Sequence, residues 1–526
     1  MMPSTNGQGP KRAILYARVS TDEQVRSGYS LARSGPRTVE VRPRGGSVLL
    51  GLDLGTSSAK TLLLGEDGDA LGEGSVSYPV RAPRLGWAES SPEDWWNAAA
   101  EATKAAVGSR GAQVAALGLS GQMHGAVLAD NRGRPLRPAI LWADARSVEQ
   151  LAAYRRLDQD AGRRLANPPA VGMAGPSLLW LRDHEPDAYA SARWALQAKD
   201  WLRLRLTGEV AAEPSDASAT LLYDLQSDDW DYPVVEALGL RPGLLAPLVA
   251  SADLAGTLTE EAAGHLGLRA GLPVAAGAAD TAAAMLGCGL LRPGSFQLTI
   301  GTGGQIVTPR SSPVPDPYGR THLYRAAVPN LWYSMAAIQN AGLALEWARK
   351  TLGASWDEVY EEAFAVPPGA GGVVFLPYLS GERTPRFDPD ARGVWAGLGL
   401  EHGRGHLLRA ALEGVAFALR EGLEALEEAG TPVPELRLAG GGAADESWQQ
   451  LLADVLVRPL RLLPGAMAAV ASARGAALLA GVASGVYRTA EDTLAPDPDR
   501  VIQPGDAAYE AAYARYREIY PRLGGL

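Results

Sequence analysis

Two short stretches of this chain set reactive or phosphate-facing groups on tight turns. The first is Leu52-Asp53-Leu54-Gly55-Thr56-Ser57-Ser58. Its amides and hydroxyls at Gly55, Thr56 and Ser57 can face phosphate oxygens, and Asp53 can hold the hydration shell of a metal ion. The same pattern also makes an ordinary structural hairpin, and alone it does not separate the two readings. The second stretch lies far downstream, where Gly301-Thr302-Gly303 occupies the turn of "GSFQLTIGTGGQIV", Gly294 to Val307. Two such turns point to the chemistry of a bound nucleotide.

The elements that must position these turns can be read from the flanking residues. "SVLLGLDLGTSSAKTLLLGEDGDAL" reads as an apolar strand, a glycine turn, a second apolar strand and a turn at "EDGD". The downstream stretch repeats strand, turn and strand. A repeated hairpin predicts a duplicated domain with a nucleotide held in the cleft between copies. That predicts an α/β fold of two ribonuclease-H-like domains of the actin/hexokinase type, each a mixed sheet flanked by helices. Ser91 followed by Pro92 reads as an N-cap and first helical residue, opening "EDWWNAAAEATKAAV".

Composition narrows the class. The chain has 526 residues, 46% hydrophobic and 21% charged, within the globular range and long enough for two large domains. It carries no apolar run long enough to span a bilayer, and "AILYARV" near the N-terminus is interrupted by Arg18, unlike a secretory signal. The single cysteine, Cys288, has no partner for a disulfide or a metal site, which predicts a cytoplasmic protein. The net charge is −10, although residues 1–46 hold eight Lys or Arg against three Asp or Glu. The rest of the chain is therefore strongly acidic and repelled by a phosphate backbone, so no nucleic-acid partner is expected.

One motif points elsewhere. "YARVSTDEQ", Tyr16 to Gln24, with "SGYSL" at Ser27 to Leu31, resembles the start of a serine recombinase, with Arg18 and Ser20 matching its first arginine and nucleophile. The resemblance stops after Ala32, where a basic, Gly/Pro-rich linker begins. A serine without a base or partner cations is a poor nucleophile. Residues 1–46 are expected to be a disordered leader without activity of its own.

From residue 47 onward the chain resembles the FGGY family of sugar kinases, and within it those acting on xylulose. The pieces occur in family order: "LDLGTSS", "GWAESSPEDWW", "GLSGQMHGAVLAD", "PAILWADAR", "KDWLRLRLTGE", "SDASAT", "GAADTAAA", "IGTGG", "FLPYLSGERTP", "RGVWAGLGLEHGRGHLLRAALEGVAFAL" and "LAGGGA". The resemblance implies an N-terminal domain over 47–291 and an ATP-binding C-terminal domain over 292–526. It implies Asp280 as the proton acceptor, with Asp53 assisting catalysis and holding Mg²⁺ through water. Met123 and His124, with Asp280 and Thr281, would contact the sugar. ATP would lie on Thr56, Ser57, Gly301, Thr302, Gly303, Gly441, Gly442 and Ala443. A plain helix N-cap is the alternative for Asp280, and core packing the alternative for the Met-His pair. Asp144 and Arg146 would shape or close the site; a surface ion pair is the alternative. The partners implied are a small sugar and ATP, with no membrane and with a homodimer left open.

The chain departs from the family pattern at four positions. Thr281 stands where the family has asparagine, replacing an amide by a hydroxyl beside the base. Ala143, Ser177 and Ala444 replace the usual asparagine, lysine and arginine of their motifs. Thr281 bears most directly on the sugar, and keeps ribulose, a sugar alcohol or glycerol as alternatives to D-xylulose.

Overall fold

The computed structural model describes residues 12–14, 38–40 and 47–523, apart from 493–497, 499 and 507. The recombinase-like stretch around Arg18 and Ser20 lies outside the described residues.

The first sheet is built on β1 (Val48–Leu54), all of whose residues are buried. It pairs antiparallel with β2 (Ser58–Gly65), which pairs antiparallel with β3 (Ala70–Ser77). On its other side β1 runs parallel to β4 (Val114–Gly121). Next come β5 (Leu254–Thr257) and β6 (Pro273–Ala275), with the short β7 (Ala278–Ala279) continuing beside β4. The order is β5-β6-β4-β1-β2-β3.

The second sheet repeats this plan. β8 (Gln297–Ile300) and β9 (Gly304–Arg310) form the hairpin, and β10 (His322–Arg325) and β11 (Trp332–Ile338) extend it antiparallel. β12 (Leu436–Ala439) and β13 (Leu460–Leu462) lie parallel on the other side of β8, and β14 (Arg500–Ile502) closes the edge. A hairpin, a third antiparallel strand and two parallel strands recur in the same order, so the fold is a duplicated α/β unit, as the repeated turns predict.

Side-chain alternation along β1 explains why this strand is buried on both faces. Val48, Leu50, Leu52 and Leu54 join a core with Trp95, Ala99 and Ala102 of α1 (Pro92–Val107). α1 begins at the predicted Pro92, although the Ser91 side chain makes no capping bond. Leu49 belongs to another core, shared with α6 (Ala471–Ala483), a helix from the C-terminal part of the sequence. This contact is backbone against backbone. A Cβ on Gly51 or Gly118 would sit 1.8 Å from the carbonyl oxygens of Ala473 and Ala476. α6 packs equally close to α3 (Asp280–Gly287), where a Cβ on Gly475 would meet the Ala283 carbonyl at 1.8 Å. Among the described residues no helix is long and apolar enough to cross a membrane.

Candidate active site

The functional turns follow the carboxyl ends of parallel strands, where open α/β sheets place their ligand crevices. In the first sheet β1 leads to Gly55, β4 to Gln122-Met123-His124, and β7 to Asp280. Asp53 and Ser120 are register partners, and the Ser120 hydroxyl donates to Asp53 Oδ1 at 3.0 Å. Asp53 also faces Lys60 across the hairpin. Burial raises the Asp53 pKa, and Lys60 and Ser120 only partly offset that effect.

Asp280 is the first residue of α3, one position beyond the N-cap Ala279, and its Oδ1 accepts from the Thr281 amide at 2.6 Å. It is thus not the cap of that helix. The turn before it depends on Gly277, at φ 87, where a Cβ would lie 2.2 Å from the Leu119 carbonyl. Burial pushes the Asp280 carboxyl up to about 7, helped by the charge on Asp53 and opposed by the Thr281 hydrogen bonds. A carboxyl tuned close to neutral pH is suited to exchange a proton with a hydroxyl. The Thr281 hydroxyl itself donates to Asp280 Oδ1 at 3.2 Å, so it serves the base rather than the open cleft.

The Gly55 turn is tied from both sides. Gln122 Nε2 donates to the Gly55 carbonyl at 3.2 Å, and the Tyr78 hydroxyl donates to the same oxygen. Trp142 Nε1 donates to Thr56 Oγ1 at 2.8 Å, which fixes the hydroxyl rotor of Thr56. His124 adopts φ 72, a left-handed conformation uncommon outside glycine. There its Nδ1–H donates to the Ala219 carbonyl at 2.8 Å, which leaves Nε2 as an acceptor. Burial pushes its pKa down to about 4, so the ring is neutral. Met123 is buried, and its sulfur accepts from the Tyr333 hydroxyl of β11 at 3.7 Å.

The second sheet presents its own pair of turns. Gly301-Thr302-Gly303 follows β8, and Gly440–Ala443 follows the adjacent β12. The amides of Ala341, Gly342 and Leu343 donate to the carbonyls of Thr302 and Gly301, pinning the first turn to the start of helix Gly342–Thr351. Gly440, at φ 98, lies against Ile300, where a Cβ would be 2.3 Å from the carbonyl oxygen. This brings the two glycine turns side by side. Gly441 is exposed and Gly442 half-buried, while Ala443 is buried and its carbonyl accepts from Gln449 at 2.8 Å. The segment after β13 reaches back to the first group of residues: Lys60 Nζ donates to the Ala469 carbonyl, and Ser472 Oγ to the Asp280 carbonyl, each at 3.2 Å.

Asp144 and Arg146 pair at 2.7 Å with side chains only 1% exposed, so they are not a surface ion pair. Asp144 also accepts from the Ala88 amide, and Arg146 lies 3.6 Å from the Trp87 ring centre. The pair braces the segment that carries Trp142. Sequence reasoning passed over Ser120, Lys60 and Trp142 as site residues. The pairing of β1 with its neighbours would have found the first two, since both oppose Asp53.

Among the described residues no group of three or more His, Cys, Asp or Glu side chains could hold a metal ion by itself. Asp53 and Asp280 nevertheless set two carboxyl groups near the Gly55 turn, with Lys60 only partly offsetting the first. That donor set fits Mg²⁺, which commonly takes one or two carboxylates and completes its shell with water and substrate phosphates.

The chain belongs to the FGGY family of carbohydrate kinases. The family's N-terminal domain matches residues 48–287 and its C-terminal domain residues 297–484. It is 36% identical to a xylulose kinase of Escherichia coli, over 90% of this chain and 98% of that one. It is 31% identical to a gluconokinase of Bacillus subtilis, over 78% and 83%. A crystal structure of a xyloylose kinase from Brucella ovis superposes with a TM-score of 0.84 at 37% identity, covering 90% of this chain and 99% of that one.

Proposed function

We propose that this carbohydrate kinase transfers the γ-phosphoryl group of ATP to the terminal hydroxyl of a ketopentose, D-xylulose, giving D-xylulose 5-phosphate. The observation that carries the reading is the convergence of Asp280, poised near pH 7, with the neutral His124 at the ends of adjacent strands. Asp280 takes the proton of the attacking hydroxyl, and the Thr281 amide and hydroxyl orient its carboxylate. His124 Nε2 accepts from a sugar hydroxyl, while Met123 supplies an apolar wall. Thr56 and Ser57 hold phosphate oxygens from one domain, Gly301–Gly303 from the other, and Gly441–Ala443 the adenosine. Asp53, braced by Ser120, would hold Mg²⁺ through water; when bound, that ion offsets charge on the transferring phosphoryl group. The domains behind these roles are 47–291 and 292–526.

The similarity to xylulose kinases over most of the chain supports the choice of sugar. The Thr281 hydroxyl, turned to Asp280, favours a second reading in which another ketose or polyol is the substrate. A coupled ADP-release assay over ketoses, sugar alcohols, gluconate and glycerol decides between them. D-xylulose is expected to show the highest kcat/KM; glycerol turned over more efficiently than any ketopentose would overturn the reading.

A further inference from the structure

β10 carries buried polar groups, and the loop after Leu379 a half-buried arginine, that the mechanism above leaves unused. His322 and Tyr324 alternate on β10 and stack with ring centres 5.5 Å apart. Tyr324 lies 5.9 Å from the His124 ring and 5.5 Å from Tyr333. Both β10 side chains are buried, and neither Tyr324 OH nor His322 Nε2 has a hydrogen-bond partner among the described residues. Buried polar atoms in folded proteins are rarely left unpaired without a reason.

The orientation of His322 follows from its neighbours. Asn167 Nδ2 donates to the Leu323 carbonyl at 2.7 Å, and Asn167 Oδ1 accepts from the Leu323 amide at 3.0 Å. That fixes Oδ1 beside His322 Nδ1, at 3.3 Å, so Nδ1 carries the proton and Nε2 is a bare acceptor. Burial and the nearby Arg383 hold the ring neutral.

Arg383 is the third member. No carboxylate pairs with its guanidinium among the described residues, and it lies 5.7 Å from the Trp142 ring centre. Trp142 in turn donates to Thr56 Oγ1 beside the Gly55 turn, which places Arg383 at the cleft. Its backbone is held on both flanks. Glu382 Oε1 accepts from the amides of Gln339 at 2.6 Å and Arg383 at 2.8 Å. Thr384 exchanges hydrogen bonds with Ala337 through its amide at 2.9 Å and its hydroxyl at 3.1 Å. A guanidinium in no close ion pair among the described residues is suited to an oxygen-rich ligand.

We infer that His322, Tyr324 and Arg383 form the second wall of the sugar pocket, opposite Met123 and His124, and bind the hydroxyl and carbonyl oxygens remote from the phosphorylated end. The two imidazole acceptors, the tyrosine hydroxyl and the guanidinium donors match a polyol, whose hydroxyls each give and accept a bond. The inference rests on the sugar-kinase reading of the cleft and adds a wall contributed by the C-terminal half.

The test is steady-state kinetics of Tyr324→Phe and Arg383→Gln on whichever polyol the wild type turns over best. Tyr324→Phe removes one oxygen and keeps the ring packing. Each variant is expected to raise the sugar KM about 10-fold or more, the range for a lost hydroxyl contact. KM for ATP should stay within twofold. Sugar KM unchanged within twofold in Tyr324→Phe overturns the inference, even if Arg383→Gln fails to fold. An error in the choice of sugar would show in the wild type, whereas an error here shows only in the variants.

Discussion

Asp53 and Asp280 stand at the ends of strands that flank β4, and the charge of the first raises the pKa of the second. Burial is the larger cause, and the charge of Asp53 adds an electrostatic increment. The deprotonated form of Asp280 is the competent base. The kcat/KM for sugar should therefore rise with pH and level off above about 7. In Asp53→Asn the increment is lost, and the acid limb of the residual activity should move to lower pH while staying above the ordinary carboxylate range. A pH–rate profile of the two proteins checks this; an acid limb at the same pH in both would separate Asp280 from Asp53.

Replacing Asp280 separates catalysis from stability. Asp280→Asn is expected to lower turnover by roughly 10²- to 10⁴-fold, the span for loss of a general base. The folded-state pKa near 7 lies above that of the unfolded chain, so between the two values the folded state binds more protons. Stability then falls as pH rises, and the loss is complete above about 7. Asp280→Asn removes that loss. It should melt above the wild type at pH 8 by at least about 2 °C, the shift that one kcal/mol produces in a large domain, and the gap should close toward pH 4. Melting curves at both pH values give the sign.

The glycine turns and Asp280 were legible in the sequence because they occupy a few consecutive residues with a fixed local geometry. The duplicated sheet was legible for the same reason, through its two hairpins. The wall of His322, Tyr324 and Arg383 was not. "HLYR" reads as an ordinary half-polar strand, and only the approach of β10 to His124 gives its side chains a common ligand. α6 was equally hidden. Its Ala/Gly-rich sequence suits any buried helix, and nothing local shows that it crosses to the first sheet.

That crossing is testable at single atoms. A Cβ on Gly475 would overlap the Ala283 carbonyl of α3, and one on Gly118 would overlap Ala476 of α6. Backbone cannot yield as a flexible side chain can, so each Gly→Ala change should cost about 1–3 kcal/mol or more. Gly264 provides the contrast, because nothing lies within 4 Å of its added Cβ and it sits inside helix Glu260–Leu266. Gly264→Ala should be neutral or stabilise by about 0.4–1 kcal/mol, through the entropy of the unfolded chain. Urea midpoints of the three variants measure the difference. Gly475→Ala should also lower kcat, since α3 begins at Asp280.

Both sheets, both sets of glycine turns and every site residue named here lie within residues 47–523. The basic stretch that contains Ser20 supplies none of them. A chain beginning at Gly45 is therefore expected to melt with the full chain and to phosphorylate sugar at the same rate. Ser20→Ala in the full chain should change neither property. DNA chemistry is not expected, because affinity for a phosphate backbone depends on cationic neutralisation and the chain as a whole carries a charge of −10. A supercoiled-plasmid nicking assay, with denaturing gels to detect a covalent adduct, addresses this directly. An inactive or insoluble truncated chain would make the leader part of the folded enzyme. A covalent DNA adduct lost in Ser20→Ala would give the leader a chemistry of its own.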